Sequence, residues 1–308
     1  MDNPKIKKLL VPLDGSPMAE SVLTIASELA KKISASITLI HVVEKDPPEK
    51  IHGQKHLTNP RQAEDYLRTI SSMSIFDGIN VNFHVHEAGV RDVSQSISDH
   101  TEELHQDLVI MCTHGGSGLR GILYGSIAQQ VISFGNAPVL LVSPLFTPDY
   151  NLSKARYSFD NFLVPLDGNP DHEESLGYAS MLAKMCGAKI HLLIAVPQFG
   201  TMSGELTPTD RLLPGTTARM MDMIVPDAEK YLAGLKIRIE SEGTEVTTSA
   251  SRNKPDAAIP RTAKNIKADL IILATHGKKG AEAFWNGSVT PKISKSSKIP
   301  LLLVPVKE

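Results

Sequence analysis

Along the chain, short runs of consecutive apolar and often β-branched residues alternate with longer stretches in which apolar residues recur at helical spacing. In the N-terminal half the runs at 7–13, 36–43, 79–86, 107–113 and 138–143 predict strands. Between them, "PMAESVLTIASELAKKI" and, less strongly, "DVSQSISDHTEELHQ" predict amphipathic helices. Most of the strand runs are predominantly apolar and do not alternate in and out, so both faces of their sheet are expected to be covered. That is the pattern of a parallel sheet with helices on either side.

The pattern then repeats. "LLVPLDGSPMAESVLTIASELAKKISASITLIHVV" at 9–43 aligns without gaps to "FLVPLDGNPDHEESLGYASMLAKMCGAKIHLLIAV" at 162–196. Further on, "DLVIMCTHGG" at 107–116 matches "DLIILATHGK" at 269–278, and "YGSIAQQVISFGNAPVLLVSP" at 124–144 matches "NGSVTPKISKSSKIPLLLVPV" at 286–306. The chain therefore reads as two copies of one domain. The expected boundaries are 1–146 and 160–308, with the polar, proline-containing stretch 147–159 as linker. A register shift of nine residues between the matched blocks gives the second copy a longer middle insertion, "PQFGTMSGELTPTDRLLPGTTARMMDMIVPD". It reads as a surface loop, with a lid over a site as the alternative.

Each copy ends in an apolar run, "APVLLVSP" or "IPLLLVPV". A last strand would ordinarily lie at a sheet edge, where a flat apolar strand invites unwanted pairing, and packing the two edges together removes that hazard. The predicted architecture is α/β: two tandem doubly wound domains, each a five-stranded parallel sheet of order 3-2-1-4-5 flanked by helices. They are expected to join as an internal pseudo-dimer in which strand 139–142 meets strand 301–304. Two whole chains pairing further is left open.

Composition changes this picture little. A chain of 308 residues suits two domains. With 32 basic against 34 acidic side chains it has no electropositive field, so neither nucleic acid nor an acidic membrane is an expected partner. The longest apolar runs fall short of the ~20 residues of a bilayer span. The N-terminus lacks the long apolar core of a secretory signal, and a cytoplasmic protein is the expectation. Cys112 and Cys186, one in each half, form neither a disulfide framework nor a zinc cluster.

The candidate chemistry begins with glycines. "GSGLRG" at 116–121 fits the spacing of a dinucleotide-binding fingerprint, but that motif must follow the first strand of its unit and precede an acidic residue on the next strand. Here it follows the fourth strand, no acidic residue ends the fifth, and the second copy keeps only Gly280. What both copies share is Thr-His-Gly, nine residues, then Gly-Ser: Thr113, His114 and Gly115 with Gly125 and Ser126, and Thr275, His276 and Gly277 with Gly287 and Ser288. The first glycine allows a sharp turn and close approach of a ligand. The serine suits the cap of helix "IAQQVIS", whose free N–H groups and positive dipole end favour an anion, above all phosphate. "VPLDGS" and "VPLDGN" put Asp14 and Asp167 at the carboxyl end of each first strand. With strands 1 and 4 as neighbours, Asp14 faces the Gly115 loop across the crevice where strand order reverses. A carboxylate there suits a ribose hydroxyl, and it also suits a turn before the helix at Pro17.

These blocks resemble the universal stress protein family over nearly the whole chain, as two tandem domains. The resemblance implies a five-stranded parallel α/β fold paired through its last strand, and in nucleotide-binding members a pattern Gly, two residues, Gly, nine residues, Gly, then Ser or Thr, that holds ATP. Carried onto this sequence, it implies a site of Asp14 at the ribose, Val42 at the adenine, and Cys112, Gly115, Gly125, Ser126 and Ile127 at the phosphates. The second-copy counterparts are Asp167, Ala195, Ala274, Gly277, Gly287, Ser288 and Val289. The ligand implied is ATP, with or without Mg. Cys112 and Ala274 replace the pattern's leading glycine, Pro291 enters the first turn of the second capped helix, and Lys278 and Lys279 alter the spacer. The first copy is thus the better expected site.

No Walker loop, G-x-S-x-G or H-E-x-x-H is present, so no catalytic residue is assigned and at most slow ATP hydrolysis is expected. His84 and His86 share a strand face, and His52 and His56 lie four apart, but neither pair has a third ligand in view and no metal site is assigned. The functional expectation is an adenine-nucleotide-binding regulatory protein with an unidentified protein partner. The alternative is a nucleotide-free scaffold of the same fold.

Overall fold

The first apolar run forms strand β1 (Lys8–Pro12), in which Leu9, Leu10 and Val11 are fully enclosed. The computed structural model describes residues 4–45, 50–51, 54–55, 57–90, 92–113, 126–143, 156–170, 173–196, 214–275, 293 and 298–306. After β1 come a short helix α1 (Pro17–Glu20), α2 (Leu23–Ile33), β2 (Ser36–Glu44), a small hairpin of β3 (Lys50–Ile51) and β4 (Gln54–Lys55), α3 (Pro60–Ser71), β5 (Val81–Val90), α4 (Val93–Glu103), β6 (Leu108–Cys112), α5 (Ser126–Phe134) and β7 (Val139–Val142). The second copy supplies β8 (Asn161–Leu166), α6 (Glu174–Cys186), β9 (Lys189–Ala195), α7 (Pro214–Glu240), β10 (Val246–Ser251), α8 (Pro255–Ile266), β11 (Leu270–Thr275) and β12 (Leu301–Pro305). Helix starts are fixed by local chemistry. Ser16, Asn59 and Asp92 accept the N–H groups of Ala19, Gln62 and Asp92's third successor Gln95, and proline opens α1 and α3.

The strands form one ten-stranded sheet of order β10-β9-β8-β11-β12-β7-β6-β1-β2-β5. Each half has the expected order 3-2-1-4-5, and its strands pair in parallel. At the centre β7 and β12 pair antiparallel, with Leu141 opposite Leu301, Leu140 opposite Leu302 and Val139 opposite Leu303. The two apolar edges therefore meet each other. Two apolar cores cover the sheet, one per face, and each runs across the seam. Leu140, Val142, Leu302 and Val304 lie in the core beneath α2 and α6, and Val139, Leu141, Leu301 and Leu303 lie in the core on the α4, α5 and α8 face. Helix α2 also packs against α6, so the halves touch beyond the strands.

Two expectations need correction. Strand β5 continues to Val90, past the expected end at 86, because β2 keeps pairing with it to Glu44 after a register shift between Val42 and Glu44. The second-copy insertion is not all loop: from Pro214 onward it belongs to α7, and Ile224 and Val225 pack on the core. Its Gly, Pro and Thr content hid a helix held by tertiary contact. The part at 197–213, on which the lid alternative rests, lies outside the described residues. Among the described residues no helix is long and apolar enough to cross a membrane.

One matched pair of carboxylates ties each first strand to its fourth. Asp107 Oδ2 accepts the N–H groups of Lys7 and Lys8 at 2.7 and 2.9 Å, and Asp269 Oδ2 accepts those of Asp160 and Asn161 at 2.6 and 2.9 Å. Tyr157 donates to the Asp269 carbonyl oxygen. Burial pushes the Asp269 carboxyl up from 3.8 to about 6, against the lowering effect of its backbone donors. The folded state thus holds the proton more tightly than the unfolded chain, so this group's stabilising contribution is complete below about 3.8 and is lost as pH rises through about 6. Urea unfolding of wild type and Asp269→Asn between those limits should show a wild-type loss with rising pH on the order of 1–2 kcal/mol, after discounting for partial exposure. The variant should lack that component, and parallel pH profiles would contradict the assignment.

Candidate functional site

Strand β1 lies between β2, reached directly from it, and β6, reached by the crossover back from β5, and a crevice is expected at the carboxyl ends of these strands, where the order reverses. The turn beyond β1 is held from both sides. The Leu13 N–H donates to the Ile40 carbonyl at 2.9 Å, and the buried His41 ring donates from Nδ1 to the Leu13 carbonyl at 2.8 Å. Gly15 then takes φ +86°, a conformation that side chains disfavour, and a Cβ there would meet Leu57 at 3.0 Å. Gly168 repeats the conformation at φ +82°.

Asp14 accepts the Ser16 N–H on Oδ1 at 2.9 Å, and Asp167 accepts the Asn169 N–H in the same way at 2.9 Å. Both carboxylates therefore serve their turn. Asp14 is half-buried and Asp167 is exposed. Cys112 ends β6, next to β1, with its side chain half-buried against the α2-face core and its Sγ 4.0 Å from Ser21 Oγ. Val42 lies near the end of β2, buried in the opposite core. Asp14, Cys112 and Val42 thus stand at the same end of three adjacent strands. In the second copy Asp167, Ala274 and Ala195 hold the matching places after β8, on β11 and at the end of β9.

Ser126 is the first residue of α5 itself, one position inside the cap expected for it, and Ile127 beside it is 37% exposed. Gly115 and Gly125 lie outside the described residues, as do Gly277, Gly287, Ser288 and Val289. So do His114 and His276, the pair His52 and His56, and Lys278, Lys279 and Pro291. Neither cysteine is in a disulfide, and burial pushes the Cys186 thiol up to about 11.

Each copy carries a second carboxylate outside the shared motifs. Glu20 Oε1 accepts the Tyr66 hydroxyl at 3.0 Å, and Glu173 Oε1 accepts the Tyr231 hydroxyl at 2.6 Å. Burial raises the Glu20 carboxyl, the Tyr66 hydrogen bond opposes this, and the charge of Asp14 adds to it. The Glu–Tyr pairs therefore brace the floor beside each aspartate. The signal was present: Glu20 and Glu173 fall together in the gapless alignment, and "AEDYL" at 63–67 answers "AEKYL" at 228–232. The copies differ in that Arg238 pairs with Glu173 Oε2 at 2.8 Å.

His84 and His86 also gain something that spacing alone withheld. His100, from α4, brings a third imidazole to them, and the ligating nitrogens all lie within 4.8 Å of one another. Burial first, and then the His100 and His86 rings, hold His84 below the ordinary histidine range.

A model of the universal stress protein family matches the chain twice, over residues 5–143 and 158–305. A universal stress protein of Methanocaldococcus jannaschii is 30% identical over 141 residues, spanning 44% of this chain and 81% of the relative. One of Mycolicibacterium smegmatis is 23% identical over 311 residues, 96% of each chain. Among solved structures, a universal stress protein from Archaeoglobus fulgidus superposes with a TM-score of 0.68 at 19% identity, covering 97% of this chain and 98% of its own.

Proposed function

Because the chain belongs to the universal stress protein family, we propose that its N-terminal copy binds an adenine nucleotide, ATP with or without Mg, above the ends of β1 and β6. The role is regulatory, within a stress response, and any turnover of ATP is slow. The observation that carries this reading is the convergence of Asp14, Cys112 and Val42 at the carboxyl ends of three adjacent strands where the chain crosses in opposite directions.

In this reading Asp14 accepts a ribose hydroxyl, and the backbone at Val42 meets the adenine. Gly115, Gly125 and the N–H groups that open α5 at Ser126 and Ile127 hold the phosphates. Cys112 in place of glycine is compatible with this, because its side chain is taken up against the α2-face core. The second copy, with Asp167, Ala195, Ala274, Gly277, Gly287, Ser288 and Val289, is the weaker site: its aspartate is exposed and Arg238 already engages the neighbouring Glu173.

The test is to denature the purified protein, look for released adenine nucleotide, and compare ATP binding by wild type and Gly125→Asp. A carboxylate set against phosphates costs several kcal/mol, so the variant should lose on the order of 100-fold or more in affinity. Absence of wild-type binding at millimolar ATP would replace this reading with the nucleotide-free scaffold.

A further inference from the structure

One strand beyond Val42, the end strand of the sheet carries an imidazole cluster whose geometry is that of a ligand set. His84 and His86 are two residues apart on β5 and so project from one face of it. That face is the one toward α4, because their register partners Ile40 and Val42 lie in the core on that side, whereas Phe83 and Val85 pack against the opposite core. His100, buried on α4, completes the group. Its ring centroid lies 4.9 Å from each of the other two.

Two details go beyond proximity. His100 Nδ1 lies 2.7 Å from the Ser96 carbonyl oxygen, one helical turn back. That bond places the proton on Nδ1 and leaves the Nε2 lone pair facing the other histidines, the outer-sphere arrangement that orients metal-bound imidazoles. His86 Nδ1 is 3.3 Å from that Nε2. Two nitrogens bound at ~2.0–2.1 Å to one tetrahedral ion stand roughly 3.3 Å apart, so this pair already has the required separation. With every pair of ligand nitrogens within 4.8 Å, the third closes by a small side-chain rotation. Glu87 and Glu103 act electrostatically on His84 and add the negative field a cation favours.

The second copy provides an internal contrast. Aligned through the strand register and through Asp107 and Asp269, its residues at these places are Ser249, Ser251 and Thr262. The same scaffold thus holds three hydroxyls where the first copy holds three imidazoles, so the fold does not itself require histidine there.

We propose that His84, His86 and His100 form a binding site for one divalent first-row transition-metal ion of the imidazole-seeking class, with Zn2+ as the representative, joining the edge strand β5 to α4. Three neutral nitrogen donors select zinc, cobalt, nickel or copper over magnesium or calcium, and the fourth position is left to water or a carboxylate. The site is independent of the nucleotide reading and would stand if that reading failed.

The experiment uses the full-length chain after treatment with a chelator. Co2+ is added in the presence of millimolar Mg2+, and the visible bands of tetrahedral cobalt are followed, then Zn2+ is added in competition. The expected result is saturation at one Co2+ per chain, displacement by Zn2+ and indifference to Mg2+. Replacing all three residues by their second-copy counterparts (His84→Ser, His86→Ser, His100→Thr) should weaken binding by more than the ~10–100-fold that loss of a supporting group alone costs. If that variant fails to fold, His86→Ser alone, on the edge strand, carries the same comparison. No saturable cobalt spectrum in wild type overturns the proposal, and so does a variant that binds as wild type does.

Discussion

Leu302→Asp should prevent the chain from forming its native fold, and Leu302→Ala should cost about 2–5 kcal/mol. Leu302 is 1% exposed, sits opposite Leu140 across the antiparallel seam, and belongs to a core that continues from one copy into the other. Truncation to alanine leaves a cavity shared by both halves. An aspartate brings an unpaired carboxylate into that cavity, and its desolvation exceeds the loss of packing. The seam also protects two apolar strand edges, so opening it exposes templates for intermolecular pairing. Denaturant unfolding of the alanine variant, and solubility with circular dichroism for the aspartate variant, give the measurement. An aspartate variant that unfolds at the wild-type midpoint would mean that the two halves do not depend on this seam.

That seam was legible in the sequence because it follows from a difficulty stated by the residues themselves: two apolar terminal strands with nothing else to cover them. The parallel sheet with helices on both sides was legible for a related reason, since the apolar runs at Leu9–Val11 and Leu108–Met111 leave only a sheet covered on both faces. Helix α7 was not legible from local pattern. Its first half is rich in threonine and methionine and it contains Pro226, so its helicity depends on what Ile224 and Val225 pack against.

The crevice was half legible. Asp14 announced itself by its place after an apolar run and by its repetition at Asp167, while Glu20 and Tyr66 lie 46 positions apart and meet only once α1 and α3 are folded onto the sheet. The imidazole cluster shows the same limit. His84 and His86 reveal a shared face through the period of a strand, but His100 stands 14 residues beyond His86 on a different element. No spacing rule joins a strand pair to a helix residue. It takes the α4 crossover to bring them together.

Replacing Asp14 by alanine should lower ATP affinity by about 10- to 100-fold, the equivalent of losing one hydrogen bond to a charged acceptor. Asp167→Ala should leave the tighter binding event unchanged. The two residues share a turn, each holding the N–H of the second residue beyond it at 2.9 Å, so a structural role alone predicts similar effects in both copies. Their surroundings differ. Asp14 is half-buried with Glu20 close enough for its charge to be felt, whereas Asp167 is exposed and the adjacent Glu173 is bound to Arg238. Asparagine separates turn from ligand, because its side-chain oxygen can take the Ser16 N–H while the negative charge is lost. Asp14→Asn should therefore melt as wild type does and still bind ATP several-fold more weakly. Calorimetric titration of the four single variants Asp14→Ala, Asp14→Asn, Asp167→Ala and Asp167→Asn, each paired with a melting curve, distinguishes the cases. Equal loss of affinity from both aspartates, or loss that follows melting temperature alone, would reduce Asp14 to a turn residue and move the nucleotide away from the β1–β6 crevice.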